Sequence, residues 1–579
     1  MDIRKIAPDL SVSPQILPGD IGSLAANGFR SLIINRPDNE ASEQPSAAAI
    51  AEAAARHGLE VRYLPVVPGQ VRDADVAAFA AAMRELPAPA LAFCRTGTRS
   101  ATLWALAQAG HLSSEAILAT VKQAGYDLLG LRERIEARAT QRPGRPERVP
   151  VPDVLIIGGG AGGLATAASL LKRRPGLDIV LIEPNAEHYY QPGWTLIGGG
   201  VFAREQTRRD MHACLPAGVK WRQVGAAGFD PEHNEVILED GERLGYRALV
   251  VAPGLKLDWD AIPGLRDTLG KNGVTSNYHF DMAAYTWELV RSLKSGIALF
   301  TQPPMPIKCA GAPQKAMYLS CDAWRRAGVL SQMQVSFHTA AGVLFGVKEY
   351  VPALERYIES YGATVHLQEN LVAVDGPAKR AIFEKRTEAG LERLERPFDM
   401  LHVCPPQRSH DFIRSSPLAD ASGWVEVSGE TLQHVRYGNV FAVGDAGSMP
   451  NAKTAAAVRK QAPVAAHNIL QVLAGHAPNA IYEGYGSCPI TVERGKIVLA
   501  EFGYGGVLQP TFPTWFIDGA KPSRRAWFLK EKMLPWLYFE LMLKGKEWLA
   551  APKLLPHRPQ AHQSEQALSE RRSVERARS

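Results

Sequence analysis

The stretch VLIIGGGAGGLATAASLLKRRPGLDIVLIEP runs from Val154 to Pro184. An apolar β-rich run leads into glycines, then an alanine- and leucine-rich segment, then a second apolar run. Gly158, Gly160 and Gly163 give the spacing G-x-G-x-x-G at the junction of the expected strand and helix. The first glycine allows a tight turn, the second lets backbone approach a pyrophosphate, and the third permits close helix packing. A helix opening at such a loop turns unpaired N–H groups and the positive end of its dipole toward phosphate. Glu183 closes the second run, where an acid accepts ribose hydroxyls. Strand, glycines, helix and acid together predict a dinucleotide-binding α/β fold.

Further along, GIALF begins a β-rich strand near Gly296, and GNVFAVGDAG returns to a short strand near Gly438. One dinucleotide domain interrupted by a second explains the return. A hydrophobic strand ending in Gly-Asp carries the ribityl contact in two-domain flavoproteins, so FAD is favoured over NAD and Asp445 is the candidate. After GIALF, where a nicotinamide user would show a second glycine fingerprint, the chain has TQPPMPIKCAGAPQK. Prolines remove N–H donors and stiffen the turn. A second pyrophosphate cradle is therefore not expected, nor hydride exchange with NAD(P)H. Cys309 follows Lys308 and precedes a helix whose first turn suits Pro313. A thiol beside a lysine at a helix N-terminus should have a depressed pKa. Cys488 lies in the turn-rich EGYGSCPITVE, and spacing alone does not select its partner.

Ahead of Val154, SLIIN, LEVRYLPVV and ALAFC alternate with alanine-rich helical patterns, which argues for a parallel sheet. ALAFC runs into FCRTGTRS, residues Phe93 to Ser100, in which Cys94 and Arg99 form C-x4-R. Such a loop cradles an anion on backbone N–H groups, and Gly97 permits its sharp path. A phosphatase of the cysteine-dependent kind needs C-x5-R; no histidine precedes Cys94, and Asp73 and Asp75 are only candidate general acids. The segment TQRPGRPERVPVPD is rich in proline and arginine and marks a boundary.

The 579 residues exceed one core, and 46% hydrophobic with 21% charged residues suits a soluble enzyme. Net charge is +6, with basic clusters at Arg132–Arg148 and in the C-terminal tail that read as solvated linker and disordered tail. No motif or aromatic–basic pattern points to nucleic acid. Six cysteines in so long a chain are no disulfide scaffold. MDIRKIAPDL shows no secretory signal and no apolar run reaches spanning length, so a reducing cytoplasmic setting is expected. Cys214, Cys321 and Cys404 read as small buried hydrophobes. WFLKEKMLPWLYFELMLKG mixes aromatics, leucine and lysine; Pro535 divides it, and both pieces could lie in a membrane interface.

EPNAEHYYQPGWTLIGGG, PIKCAGAPQKAMYLS, FGVKEY, MLHVCPP, TLQHVRYGNVFAVGD, KTAAAV and GYGSCPI together resemble sulfide:quinone oxidoreductases of the mitochondrial type, from Val154 to about Leu555. The resemblance implies that Cys309 and Cys488 bridge over the flavin. It implies flavin contacts at Ala161, Gly162, Glu183, Gln191, Ala226, Asp445 and Lys453, and Gly254 and Gly444 complete the expected cofactor-binding set. Sulfide would attack the sulfur of Cys488, Cys309 would leave as a thiolate, and a ubiquinone-type quinone would receive the electrons. His188 and Tyr189 would shape the pocket. The front loop resembles that of rhodanese sulfurtransferases, and the whole front domain, with NRPDNE at Asn35–Glu40, resembles the phosphatase-like domain of β-lactamase-hydrolase-like proteins.

The implied fold class is α/β: a phosphatase/rhodanese-like domain, then a Rossmann-like, two-dinucleotide-domain FAD fold of the pyridine-nucleotide-disulfide-reductase type, then a membrane-associating helical segment. The expected domains are 1–139 (phosphatase-like or sulfurtransferase), 140–152 (linker), 153–295 (FAD-binding, first part), 296–430 (second dinucleotide-type domain without NAD fingerprint), 431–511 (FAD-binding, second part, with the second redox cysteine), 512–556 (amphipathic foot) and 557–579 (disordered tail). The implied activity is bifunctional: FAD-dependent oxidation of sulfide with quinone reduction, and handling of sulfane sulfur at Cys94 with Arg99, toward a small thiol or sulfite acceptor. Peripheral contact with the inner face of the membrane follows, since the quinone lives in the bilayer; no metal is expected. Two alternatives remain: an NAD(P)H-dependent disulfide or persulfide reductase fused to a sulfurtransferase, and phosphatase activity or a binding role for the front domain.

Overall fold

The computed structural model describes residues 2–555 apart from 8, 110, 111, 113 and 142–150. Most of the expected linker and all of the expected tail at 557–579 lie outside the described residues. The chain divides into two compact units, Met1–Val149 and Pro150–Ser579.

The first unit is built on five strands, β1 (Arg4–Ala7), β2 (Leu10–Ser13), β3 (Ser31–Ile34), β4 (Glu60–Tyr63) and β5 (Ala90–Phe93), in the order β1-β2-β5-β3-β4. All neighbours are parallel except β1 and β2, which form an antiparallel pair. Every residue of β5 is buried, as an apolar run at the centre of a covered parallel sheet must be. Helix α1 (Thr98–Ala107) begins just beyond, so Cys94 sits at the carboxyl end of the central strand. The strands β1 and β2 were not expected: RKIA is short and half basic, and LSVS, although it alternates, is too short to stand out.

The second unit opens with β6 (Val154–Ile157), α2 (Ala161–Arg173), β7 (Ile179–Ile182), β8 (Val219–Arg222) and β9 (Ala248–Val251). An excursion follows through β10 (Val274–Thr275), β11 (Gly296–Gln302), α3 (Ala312–Arg326), β12 (Met333–Thr339), β13 (Thr364–Leu367) and β14 (Met400–His402). Then β15 (Val440–Ala442) rejoins the first sheet, giving β8-β7-β6-β9-β15, while the excursion forms β10-β14-β11-β12-β13. Strand β10 joins the second sheet ahead of the boundary expected at Gly296. The chain continues as α4 (Ala455–Leu473), the hairpin β16 (Gly486–Glu493) and β17 (Lys496–Phe502), and a helical run over 524–544.

That last run is not divided at Pro535. Wide turns of the π type at Leu529–Met533 and Leu537–Leu541 flank Leu534–Trp536, and the backbone stays helical at each junction. A π-type turn accommodates the N–H that proline lacks without ending the helix. Tyr538, Phe539 and Leu543 are buried in the core around the sheet β8-β7-β6-β9-β15, and Glu547 pairs with Arg173 on α2. Among the described residues no helix is long and apolar enough to cross a membrane.

The glycines of the fingerprint do different jobs. A Cβ on Gly163 would lie 1.9 Å from the carbonyl oxygen of Gly158, and one on Gly158, at φ +100°, 2.4 Å from that of Ala252. Gly160 would meet nothing within 4 Å. Gly158 and Gly163 are thus closed by the protein itself, and Gly160 is left open. Gly163→Ala should separate α2 from β6 at a cost of about 1–3 kcal/mol. The expected result is a lower thermal midpoint and sub-stoichiometric flavin after purification, read by calorimetry and visible absorbance; wild-type values in both would refute the packing role.

Candidate active site

Cys309 lies between β11 and α3, where the carboxyl end of a parallel strand meets a helix, the usual position of a functional loop in an open α/β sheet. Its φ of +49° is left-handed, held by its N–H donating to the Lys453 carbonyl oxygen at 2.9 Å and its own carbonyl accepting from Ala312 N–H at 2.7 Å. Residues 308 and 453 pair as a parallel bridge. Cys488 comes from β16, and its Sγ stands 3.6 Å from that of Cys309 across a sequence separation of 179. Gly311 makes room, since a Cβ there would sit 2.5 Å from the Cys488 sulfur. All six cysteines are free thiols here.

Lys315, one turn into α3, places Nζ 3.2 Å from Cys309 Sγ and is 2% exposed. Lys530, from the C-terminal helical run, is 4% exposed and acts electrostatically on the same thiols. The hydrogen bond from Cys488 and the two ammonium groups, against the opposing effect of burial, hold the Cys309 thiol well below its ordinary range. Cys488 moves the other way, because it donates to Cys309 and is buried. Burial, then repulsion from Lys315, pulls Lys530 down to about 7. The lysine expected to activate Cys309 was its neighbour Lys308, which instead donates to Gln191 Oε1 at 2.7 Å. Lys315 stands in the first turn of the helix expected after Cys309, which could have singled it out; nothing local marked Lys530.

A cavity of about 510 Å³ runs from the glycine loop to Cys309. Gly160, Ala161, Gly162, Glu183, Gln191, Gly254, Gly444, Asp445 and Lys453 line it, whereas Ala226 packs into the apolar core and does not. Glu183 accepts from Gly159 N–H at 2.8 Å, fixing the acid against the glycine loop. Thr454 caps α4 by accepting from Ala457 N–H at 3.2 Å, and Ala455 and Ala456 open onto the cavity, so the positive end of a nineteen-residue helix faces it. Lys453 donates to the carbonyls of Asp445 and Gly447 at 2.7 and 3.0 Å, and burial lowers it to about 8. His188 joins the glycine loop to the C-terminal run: Nδ1 donates to Gly159 O at 3.0 Å, Nε2 accepts from Tyr538 at 2.8 Å, and burial lowers it to about 4. Open space at Gly160, a pinned acid at Glu183 and a helix N-terminus at α4 fit a flavin dinucleotide.

In the first unit Cys94 is fully buried. Arg99 donates to Val66 O at 2.8 Å and to Glu40 Oε2 at 2.9 Å, and Arg36 reaches the same carboxylate at 2.7 Å. Burial would raise Glu40, but the hydrogen bonds from Arg99 and Arg36 outweigh it and hold the acid low. Ser100 donates to Asn35 Oδ1 at 2.9 Å, so both ends of NRPDNE brace the loop. Gly97, at φ +85°, leaves a gap a Cβ would close to 2.1 Å from the Tyr126 hydroxyl. The candidate acids are engaged elsewhere, Asp73 by Arg138 and Arg134, Asp75 by Arg72. Cys214, Cys321 and Cys404 are buried with thiols pushed up, to about 11 and 12 for the first and last, as expected of apolar fillers.

Cys309, which faces a dinucleotide cavity and holds its sulfur beside that of Cys488, marks a flavin-dependent oxidoreductase of the disulfide type. Residues 152–305 match the family described as Pyridine nucleotide-disulphide oxidoreductase, and residues 2–111 that described as Beta-lactamase hydrolase-like protein, phosphatase-like domain. The chain is 43% identical over 399 residues to the mitochondrial sulfide:quinone oxidoreductase of Dictyostelium discoideum, covering 68% of this chain and 87% of that one. The beta-lactamase hydrolase-like protein of Agrobacterium fabrum is 33% identical over 145 residues, 25% of this chain and 34% of its own length. The sulfide:quinone oxidoreductase structure from Aquifex aeolicus shares the fold, with a TM-score of 0.57 at 20% identity over 67% of this chain and 91% of that one. The chain belongs to the sulfide:quinone oxidoreductase family. It is an FAD-dependent enzyme whose substrates are sulfide and a quinone.

The lysine geometry gives a pH prediction. A cation 3.2 Å from Cys309 favours its thiolate, so iodoacetamide should label Cys309 of the reduced protein at a pH below the ordinary thiol range. In Lys315→Met the labelling midpoint, followed by mass spectrometry, should rise by about one unit or more. An unmoved midpoint would show that the ammonium does not govern the thiolate.

Proposed function

We propose that Cys309 and Cys488 are the redox pair of sulfide oxidation. The observation that carries this is their 3.6 Å approach with Lys315 Nζ 3.2 Å from Cys309 Sγ. From the oxidised bridge, hydrosulfide attacks the Cys488 sulfur, a new S–S bond forms as the Cys309–Cys488 bond breaks, and Cys309 leaves as a thiolate. The better leaving group is the thiol with the lower pKa, which favours this direction. A thiolate acceptor then takes the outer sulfur from the Cys488 persulfide, forming its own persulfide and leaving a thiolate on Cys488. Re-forming the Cys309–Cys488 bridge from the two thiolates releases an electron pair, for which a bound FAD would supply the redox chemistry that links the bridge to the quinone. Gly160, Ala161, Gly162 and Glu183 would hold its adenosine diphosphate part, and Gln191, Gly254, Gly444, Asp445 and Lys453 the rest. The start of α4 favours negative charge near the cofactor. Cys309→Ser and Cys488→Ser should each keep FAD yet lose anaerobic bleaching of the flavin by sulfide, a fall of two orders of magnitude or more. Bleaching retained in both variants would sink the assignment.

Phe512, Leu529, Leu534, Leu537, Leu541 and Met542 give the cavity an apolar wall suited to the ring and tail of a ubiquinone-type acceptor. The same segment bears Trp515, Phe528 and Trp536, which are 82, 57 and 54% exposed. Exposed aromatics beside a lipid-soluble substrate's site support peripheral attachment at the inner face of the membrane. Replacing these three by serine should cut co-sedimentation with liposomes at least fivefold while sulfide still bleaches the flavin; unchanged sedimentation would rule against the foot.

The front unit is read as a sulfurtransferase holding sulfane sulfur on Cys94. Arg99 serves as a brace bound to Glu40 and Val66, and the two candidate general acids, Asp73 and Asp75, are each paired with arginine. Cys94→Ser should abolish thiosulfate:cyanide sulfur transfer without affecting quinone reduction; a rate equal to wild type would end this assignment.

A further inference from the structure

Glu501 is 5% exposed and sits on β17 directly across from Ser487 on β16. The next pair along is Cys488 with Ala500. Residues opposite one another in a ladder share a face and successive residues alternate, so the sulfur of Cys488 and the carboxylate of Glu501 lie on opposite faces of one hairpin. Ser487, Pro489, Leu499 and Glu501 accordingly line the main cavity, together with the apolar wall. Glu501 accepts a hydrogen bond from the Tyr485 hydroxyl at 2.6 Å, from Thr511 N–H at 3.1 Å and from the Thr511 hydroxyl, and the two hydroxyls are 3.0 Å apart. A second, more open cavity of about 370 Å³ lies behind, lined by Lys460, Glu483, Gln509 and Lys553. Tyr485 and Thr511 line both cavities.

We propose that Tyr485, Glu501 and Thr511 form the route that delivers protons to the quinone. This rests on the placing of the quinone against the apolar wall. Reduction to the quinol needs two electrons and two protons; the family's reaction supplies the electrons from sulfide, and water in the outer cavity supplies the protons. An O–H bond forms at a quinone oxygen as the Glu501 carboxyl O–H breaks. The carboxylate is then reprotonated from the outer cavity, one hydroxyl giving its proton to Glu501 as it gains another from water. Arg459 and Lys546 also line the main cavity, but neither lines the outer one. A buried carboxylate that spans the partition through two hydroxyls is the group both placed and chemically able to relay protons.

The test uses the full-length FAD-loaded enzyme, reduced anaerobically with sulfide and mixed with either a short-chain ubiquinone analogue or ferricyanide, which accepts electrons without protons. Glu501→Gln should slow reoxidation by the quinone at least tenfold, with Glu501→Asp partly restoring it. Sulfide bleaching, equilibrium quinone binding and reoxidation by ferricyanide should stay within twofold. If quinone and ferricyanide slow alike, or neither slows, the proposal falls. Should Glu501→Gln purify without FAD, the double variant Tyr485→Phe/Thr511→Val, which removes both hydroxyls, carries the same two outcomes. Failure of the underlying reading looks different: wild-type flavin reduced by sulfide would stay bleached on adding the quinone, and the relay would fall with it.

Discussion

A single backbone bridge, residue 308 to residue 453, sets the geometry on which everything else depends. It ties the loop after β11 to the entry of α4, so Cys309 and the helix end facing the cofactor cavity are positioned by the same hydrogen bonds. Cys309 is held there in a left-handed conformation that a non-glycine residue adopts at a cost of roughly 1–2 kcal/mol. Two backbone bonds, to Lys453 O and from Ala312 N–H, over-determine the turn and offset that cost. A freer loop would let the thiol swing from both its sulfur partner and the cavity. The strain therefore lies where the chemistry needs an exact sulfur position.

The dinucleotide fold was readable because its signal is local. The roles of Gly158, Gly160 and Gly163 follow from a spacing within one turn, and the structure fills two of those positions with its own backbone and leaves the middle one open. The sulfur pair was not readable in this way. Cys309 announces itself by its proline-rich approach and following helix, but Cys488 reaches it only through the packing of β16 against α3, a tertiary fact without sequence periodicity. Resemblance supplied the pairing. The lysine assignment failed for a related reason: Lys308 is adjacent in sequence, but its side chain leaves toward Gln191, while Lys315 reaches back to the thiol from the first turn of α3. Pro535 misled in the opposite direction, because π-type turns absorb a proline that α-helical rules would treat as a break.

Burying Lys315 and Lys530 beside thiols is costly in isolation, since each ammonium gives up its water. The direction of the shifts shows how the site balances this. Lys530 is pushed down to about 7 by burial and by Lys315, whereas Lys315, in direct contact with Cys309, is pushed up, its attraction to the thiols outweighing burial. One lysine is committed to its charge, and the other is poised to gain or lose a proton as negative charge on the sulfurs changes. Because Lys530 arrives on the C-terminal run that also forms the apolar wall, the state of the sulfurs and the packing of that run share one electrostatic contact.

On the proposed reading, the two cysteine sites of the chain solve different problems with different devices. At Cys309 the anion would be a leaving group that forms and vanishes in each cycle, and the buried ammonium groups of Lys315 and Lys530 favour it while it exists. At Cys94 the neighbouring guanidinium is already bound to Glu40 and to a backbone carbonyl, with Arg36 completing the network. Little of its charge is left uncompensated for the loop. A braced loop with its cation neutralised disfavours a tightly bound dianion such as a phosphate ester, but can still hold sulfur bonded to the thiol and release it to a passing nucleophile. On the proposed reading Glu40 would thereby separate a loop that stores sulfur from one that would seize phosphate, a distinction that C-x4-R spacing alone leaves open.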